Sequence, residues 1–136
     1  ESKNPDGLDS NPLVLSGDRA LNWELYLESH YDSSHFWDPY ILTNKRMLGV
    51  LTIAHKYCME KTEEAIIRRL KKPSTVEGYV DLLVASRIID SNPLYEQALR
   101  GLRDERNPKP TFEQAKRMGF RAYFDVMDVR LVAYPE

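Results

Sequence analysis

Cysteine is almost missing from this chain: Cys58 stands alone among 136 residues, so no disulfide can form within it. No Asn-x-Ser/Thr acceptor for N-glycosylation occurs either. Both absences point to an intracellular protein, cytoplasmic or nuclear, rather than a secreted one. The first twenty residues lack the basic, apolar and small-residue zones of a signal peptide. No run approaches the ~18 consecutive apolar residues of a membrane span, so no membrane contact is expected. Glycine is sparse, and no two of the six glycines lie close enough to cradle a phosphate. A charge excess is missing as well. With 19 basic against 21 acidic residues the net charge is −2, whereas a domain built to hold nucleic acid normally carries a clear basic surplus.

What is present is a globular composition, 42% hydrophobic and 29% charged, in a length that suits one domain. All eight prolines fall where connections are expected, and four of the six asparagines directly precede one. Proline restricts the residue before it and fixes its own φ, so Asn-Pro reads as a turn or a helix start. Residues 1–12 read as a loose leader and 13–136 as a single helical domain. Pro12-Leu13-Val14-Leu15 is a short apolar run closed by Gly17, the one strand expected.

From Asp18 onward the pattern is helical. Ala20, Leu21, Trp23, Leu25, Tyr26 and Leu27 are so densely apolar that a first helix, to about Tyr31, is expected to be buried on most sides. Residues 32–41 read as a loop with aromatic anchors. A second helix starts from an N-cap at Thr43 and buries Met47, Val50, Leu51, Ala54, Tyr57 and Cys58 at i, i+3, i+4, i+7 spacing. Thr62 is expected to cap a third, carrying Ala65, Ile66 and Leu70, which Pro73 ends. A capping box from Ser74 to Glu77 opens a fourth, with Val76, Tyr79, Val80, Leu83 and Val84 inward. Asn92 as N-cap and Pro93 open a fifth, burying Leu94, Ala98, Leu99 and Leu102. After the rigid linker 107–110, Thr111 and Gln114 form another capping box, and Gly119 ends that short helix in an αL stop. A last helix is expected to carry Phe120, Tyr123, Phe124, Met127 and Leu131 inward. The sum is a mainly α bundle or array of five to seven helices with one short strand near the N-terminus.

Residues that could carry chemistry are few. His30 and His35 flank Asp32 beside Asp38, a set that could ligate a divalent metal or a small molecule. Their spacing lacks the rigid helical presentation of zinc hydrolases, so the plainer reading is a polar loop around Phe36 and Trp37. His55 and Cys58 lie three apart, but Cys58 on the apolar stripe reads as a small buried hydrophobe. Arg68, Arg69, Lys71 and Lys72 crowd one helix end, and Arg100, Arg103 and Arg106 another, followed by Lys109. Cations there complement the helix dipole. A helix-turn-helix over residues 75–103 would use the second cluster, yet its recognition helix has no base-reading cation near its start. Weak nucleic-acid binding therefore stays an alternative, and no enzyme activity, metal or cofactor is expected.

The order of these motifs resembles the BTB/POZ-domain proteins of mushroom-forming, basidiomycete-type fungi. The likeness starts at Asn11-Pro12-Leu13-Val14-Leu15-Ser16-Gly17-Asp18 and continues, more loosely, at Leu27-Glu28-Ser29-His30-Tyr31. It runs on through the helix Met47 to Tyr57, the residues Ala65, Ile66 and Leu70, and the helix Leu82 to Ile88 with Ala85 and Arg87. The most specific piece is Thr111-Phe112-Glu113-Gln114-Ala115-Lys116-Arg117-Met118-Gly119, followed by Val129-Arg130. The resemblance covers the later half of the BTB domain (13–72) and its C-terminal helical extension (73–136). The family's first half, with its dimer surface, has no counterpart in residues 1–12, so what the resemblance implies is a fragment of a longer protein or a helical half standing alone. What the resemblance implies is a non-catalytic adaptor that binds itself or a protein partner, such as a ubiquitin-ligase scaffold or a transcription partner. The contact residues expected are the loop aromatics His35, Phe36, Trp37 and Tyr40, with Trp23 and Tyr26 of the first helix.

Overall fold

A computed structural model of the chain describes residues 19–31, 36–38 and 42–133, with side chains as far as residue 128. Among these residues seven helices follow one another: α1 (Ala20–Tyr31), α2 (Asn44–Lys56), α3 (Glu60–Leu70), α4 (Val76–Ile88), α5 (Asn92–Arg103), α6 (Phe112–Met118) and α7 (Phe120–Ala133). The mainly α class and the helix number agree with the sequence pattern. The expected strand at Leu13–Leu15 lies outside the described residues.

Local chemistry sets most of the helix starts. The Thr43 hydroxyl accepts from the Arg46 N–H at 3.3 Å and caps α2. At α4 the cap is Thr75, one residue later than expected, accepting from Gly78 N–H at 3.1 Å. At α5 it is Ser91, one residue earlier than expected, accepting from Leu94 N–H at 3.4 Å. At each start two adjacent residues offer a capping side chain, Ser74 and Thr75 or Ser91 and Asn92, and the observed cap is the one in extended backbone. The box at α6 forms as expected: Gln114 N–H donates to Thr111 Oγ1 at 3.2 Å, and Thr111 N–H donates to Gln114 Oε1 at 2.9 Å.

Thr62 does not cap α3. That helix already starts at Glu60, and Thr62 is buried inside it. The reason is the turn before it. Cys58 takes φ 58°, Met59 N–H donates to Ala54 C=O at 2.7 Å and Cys58 N–H to His55 C=O at 3.3 Å. This is a Schellman stop, and it reverses the chain within three residues. It also corrects the reading of Cys58, which is exposed because it stands just past the end of α2. The same stop closes α4, with Asp90 at φ 53° and Ser91 N–H donating to Ser86 C=O at 2.8 Å.

α4 is the central element, packed against α2, α3, α5 and α6. Burial on several sides explains why its core residues exceed the expected single face. Val80, Leu82, Leu83 and Ala85 are fully enclosed, whereas Tyr79 and Val84 stay partly exposed. α1 departs the other way. Among the described residues it packs on α2 alone, burying Leu25, Tyr26 and Ser29 while Leu21 and Leu27 remain exposed. The Asn22 side-chain amide lies directly over Gly49, so a side chain at 49 would require Asn22 to turn away.

α7 corrects its expected face most sharply. Ala122 and Val126 are the residues fully buried, with Tyr123 and Met127 half-buried, while Phe120 and Phe124 point to solvent. Small Ala122 lets α7 approach α5 closely, and Arg103 of α5 donates to the Asp125 carbonyl at 3.4 Å. The face that fits the gap is the one with the small residue, and the phenyl rings turn outward.

Candidate docking surface

The aromatic residues expected as contacts divide into buried wedges and half-covered rings. Tyr26 is buried, and its hydroxyl donates to Met59 Sδ at 3.1 Å. Trp23 meets Tyr26 edge-on at 5.9 Å and Tyr57 at 5.2 Å. Phe36 is only 4% exposed and meets Trp37 edge-on at 5.4 Å. Trp37 carries the Arg69 guanidinium 4.8 Å from its ring centre, which gives that cation of the first basic cluster a local role. Tyr26 and Phe36 thus serve the core, and Trp23 and Trp37 keep part of their surface. His35 and Tyr40 lie outside the described residues.

The alternatives can be placed too. Of the loop His30–Asp38, His30 sits against the Tyr26 ring at 4.6 Å, and residues 32–35 lie outside the described set. Among the described residues no three His, Cys, Asp or Glu side chains gather as a metal site would require. In the second basic cluster Arg103 is tied to α7, and Arg106 pairs with Asp104 at 2.7 Å.

A surface not anticipated from the sequence is the hairpin of α6 and α7. Phe112 is 76% exposed, Phe120 89% and Phe124 59%. Between the two helices lies an open groove of about 530 Å³, with Pro110, Phe112, Ala115, Lys116, Phe120 and Tyr123 among its walls. Its polar content is low, which suits apolar side chains of a partner better than a small polar ligand. The Lys116 ammonium stands 5.4 Å from the Phe112 ring centre.

The groove is held open by its supports. Arg117 on the back of α6 donates to Glu77 at 2.6 Å and to Asp81 at 2.5 Å, both on α4. Gln114 donates to Glu77 at 2.8 Å. Asp81, whose side chain is 7% exposed, also accepts from Asn44 of α2 at 2.8 Å. Arg87 of α4 donates to the carbonyls of Arg117 and Met118, satisfying the end of α6. Gly119 then turns the chain in one residue: its N–H donates to Ala115 C=O, and its own carbonyl accepts from Tyr123 N–H. Its φ of 86° with ψ of 160° lies in the extended positive-φ region open essentially to glycine, and not in the αL region expected for the stop.

One signal for this surface was present in the sequence. The last helix carries more large apolar residues than a single buried face needs, and Phe112 directly follows an N-cap, where a helix end meets solvent. Among the described residues no helix is long and apolar enough to cross a membrane. Comparison with protein-family models, with characterised proteins and with solved structures yields no match for this chain.

Proposed function

We propose that this chain is a protein-interaction module, an adaptor that works by binding and performs no chemistry of its own, with the α6–α7 hairpin as its docking surface. The observation that carries the reading is the exposure of Phe112 and Phe120 in the walls of one open groove, with Phe124 exposed one turn after Phe120 on α7. At roughly 200 Å² a ring, they leave about 450 Å² of phenyl surface in water. Apolar patches of that extent mark binding sites on soluble domains, and large aromatics anchor protein interfaces. Covering them is worth roughly 11 kcal/mol, of which the ~4–15 kcal/mol cost of association leaves about 7 kcal/mol at most, so these rings by themselves support a transient contact no tighter than about 10 μM.

The resemblance to fungal BTB/POZ proteins is in keeping with an adaptor, since its most specific element, Thr111 to Gly119, supplies one wall of the groove. We place the protein's work inside the cell, where the exposed Cys58 stays reduced.

The test is selection of random 16-residue peptides displayed on phage, against the full chain and against a Phe112→Ser/Phe120→Ser variant whose helicity and melting are unchanged. The proposal expects peptides recovered on the parent to lose at least about tenfold in affinity on the variant. Equal recovery on both proteins would remove the hairpin as the docking surface.

A further inference from the structure

We infer that Ser74 is a phosphorylation site, the acceptor for a protein kinase that selects basic residues on its N-terminal side, and that the phosphate is held beside Lys72. The inference stands apart from the docking reading and draws on the first basic cluster, which that reading leaves unused. The serine and threonine hydroxyls single out the position. Among the described residues Thr43, Thr75, Ser91 and Thr111 accept from the helix starts they cap. Ser29, Thr52 and Ser86 donate to carbonyls of their own helices, and Thr62 is buried. Ser74 is the exposed hydroxyl left over. It makes no hydrogen bond among these residues, because Thr75 takes the cap of α4.

The chain around it has the form a kinase needs. Residues 71–75 join α3 to α4 without helix. Arg68, Arg69, Lys71 and Lys72 precede Ser74 and are all exposed, so cations stand two, three, five and six positions before the hydroxyl. Dipole complementation accounts for Arg68 and Arg69 in the last turn of α3, and Arg69 also lies over Trp37. It leaves Lys71 and Lys72, beyond that turn, unexplained, and neither ammonium has a partner among the described residues. Charge pattern is a principal means by which kinases choose their substrates, and an acidic substrate groove reads such a run. In the transfer, Ser74 Oγ attacks the γ-phosphorus of a nucleoside triphosphate held by the kinase. The bond to the bridging oxygen breaks, nucleoside diphosphate leaves, and the hydroxyl proton passes to the kinase's catalytic aspartate.

A seat for the product is already formed. Ser74, Thr75, Arg69, Lys72 and Asn44 help to line a polar cleft of about 150 Å³. A phosphate of charge about −1.5 to −2 placed there meets Lys72 and adjoins the start of α4, where negative charge is favoured. Glu77, the acidic residue of that first turn, is engaged by Gln114 and Arg117 of α6 and does not line the cleft. Thr75 is the poorer acceptor, since its hydroxyl already holds the Gly78 N–H and a phosphate would break that cap.

The test incubates the full chain with magnesium ATP and a kinase selective for basic residues two and three positions before serine, then applies peptide mass spectrometry and urea unfolding. Expected are phosphate on Ser74, none there in Ser74→Ala, and a rate at least about tenfold lower in Lys71→Gln/Lys72→Gln. The modified chain should show a folded-to-unfolded ratio about fivefold higher than its parent, falling to about twofold or less in fully modified Lys72→Gln. Phosphate on Thr75 in place of Ser74, or equal rates with and without the two lysines, would overturn the inference. So would a folded chain that resists while a peptide of residues 66–77 accepts, because the fold would then hide the acceptor. A phosphorylated chain no more stable than its parent would overturn the cleft as the phosphate's seat.

Discussion

Gly119→Ala tests the hinge on which the docking surface depends. At φ 86° and ψ 160° the residue sits in a region open essentially to glycine alone, and holding alanine there costs about 1–3 kcal/mol. The new methyl would also meet the Arg87 guanidinium, at 3.3 Å and 3.5 Å from its terminal nitrogens, and disturb the group that satisfies the end of α6. A loss of about 2 kcal/mol should lower the melting temperature by roughly 6–10 °C in a domain of this size. Urea unfolding followed by far-UV circular dichroism gives the free energy directly. Cys58→Gly is the reverse case in the same experiment. Cys58 holds φ 58° with a side chain, which costs roughly 1–2 kcal/mol, while glycine's extra unfolded-state freedom returns about half of that. Cys58→Gly should therefore stabilise by about 0.5–1 kcal/mol. If Gly119→Ala shifts stability by less than about 0.5 kcal/mol, the geometric argument for the hairpin fails.

Two further outcomes follow from polar contacts. Arg117→Ala leaves the buried Asp81 carboxylate with Asn44 as its remaining side-chain partner, and should cost about 2 kcal/mol after allowance for the partial exposure of Arg117. Arg117→Lys should recover less than half of it, because one ammonium cannot span both Glu77 and Asp81 with a rigid fork; full recovery in urea melts would contradict this. Burial, and then the nearby Asp125 carboxylate, push the Tyr95 phenol above its ordinary 10.0. A raised pKa stabilises the fold below pH 10 and loses that contribution as pH climbs through the folded value, so stability should fall on the alkaline side. Tyr95→Phe should flatten that slope, read from melting temperatures between pH 9 and 11, and an unchanged slope would dismiss the assignment.

Much of the architecture follows from local chemistry that a linear chain displays. Thr43, the Thr111–Gln114 box and the prolines between helices act on backbone groups a few residues away, so their effect can be read without knowing the fold. The stripe Leu94, Ala98, Leu99 and Leu102 needed only the helical period to be recognised as core. Caps at 75 rather than 74 and at 91 rather than 92 could not be chosen from the sequence, because adjacent residues offered equivalent capping side chains. The candidate site was hardly legible at all. Phe120 and Phe124 share a helix with Ala122 and Val126, and hydrophobicity alone favours the larger rings for the core. Only the closeness of α5 selects the face with the small residue, because a phenyl ring in place of Ala122 would hold the helices apart. Likewise Tyr26 and Phe36 looked free to bind, yet both are buried, Tyr26 with its hydroxyl on Met59 beyond the end of α2. The sequence by itself determined the helices, most of their ends and the near-neutral charge, because each depends on bonded or nearby residues. Which apolar residues would be left facing water was decided by the tertiary structure alone, since exposure is settled by the neighbours that distant segments bring.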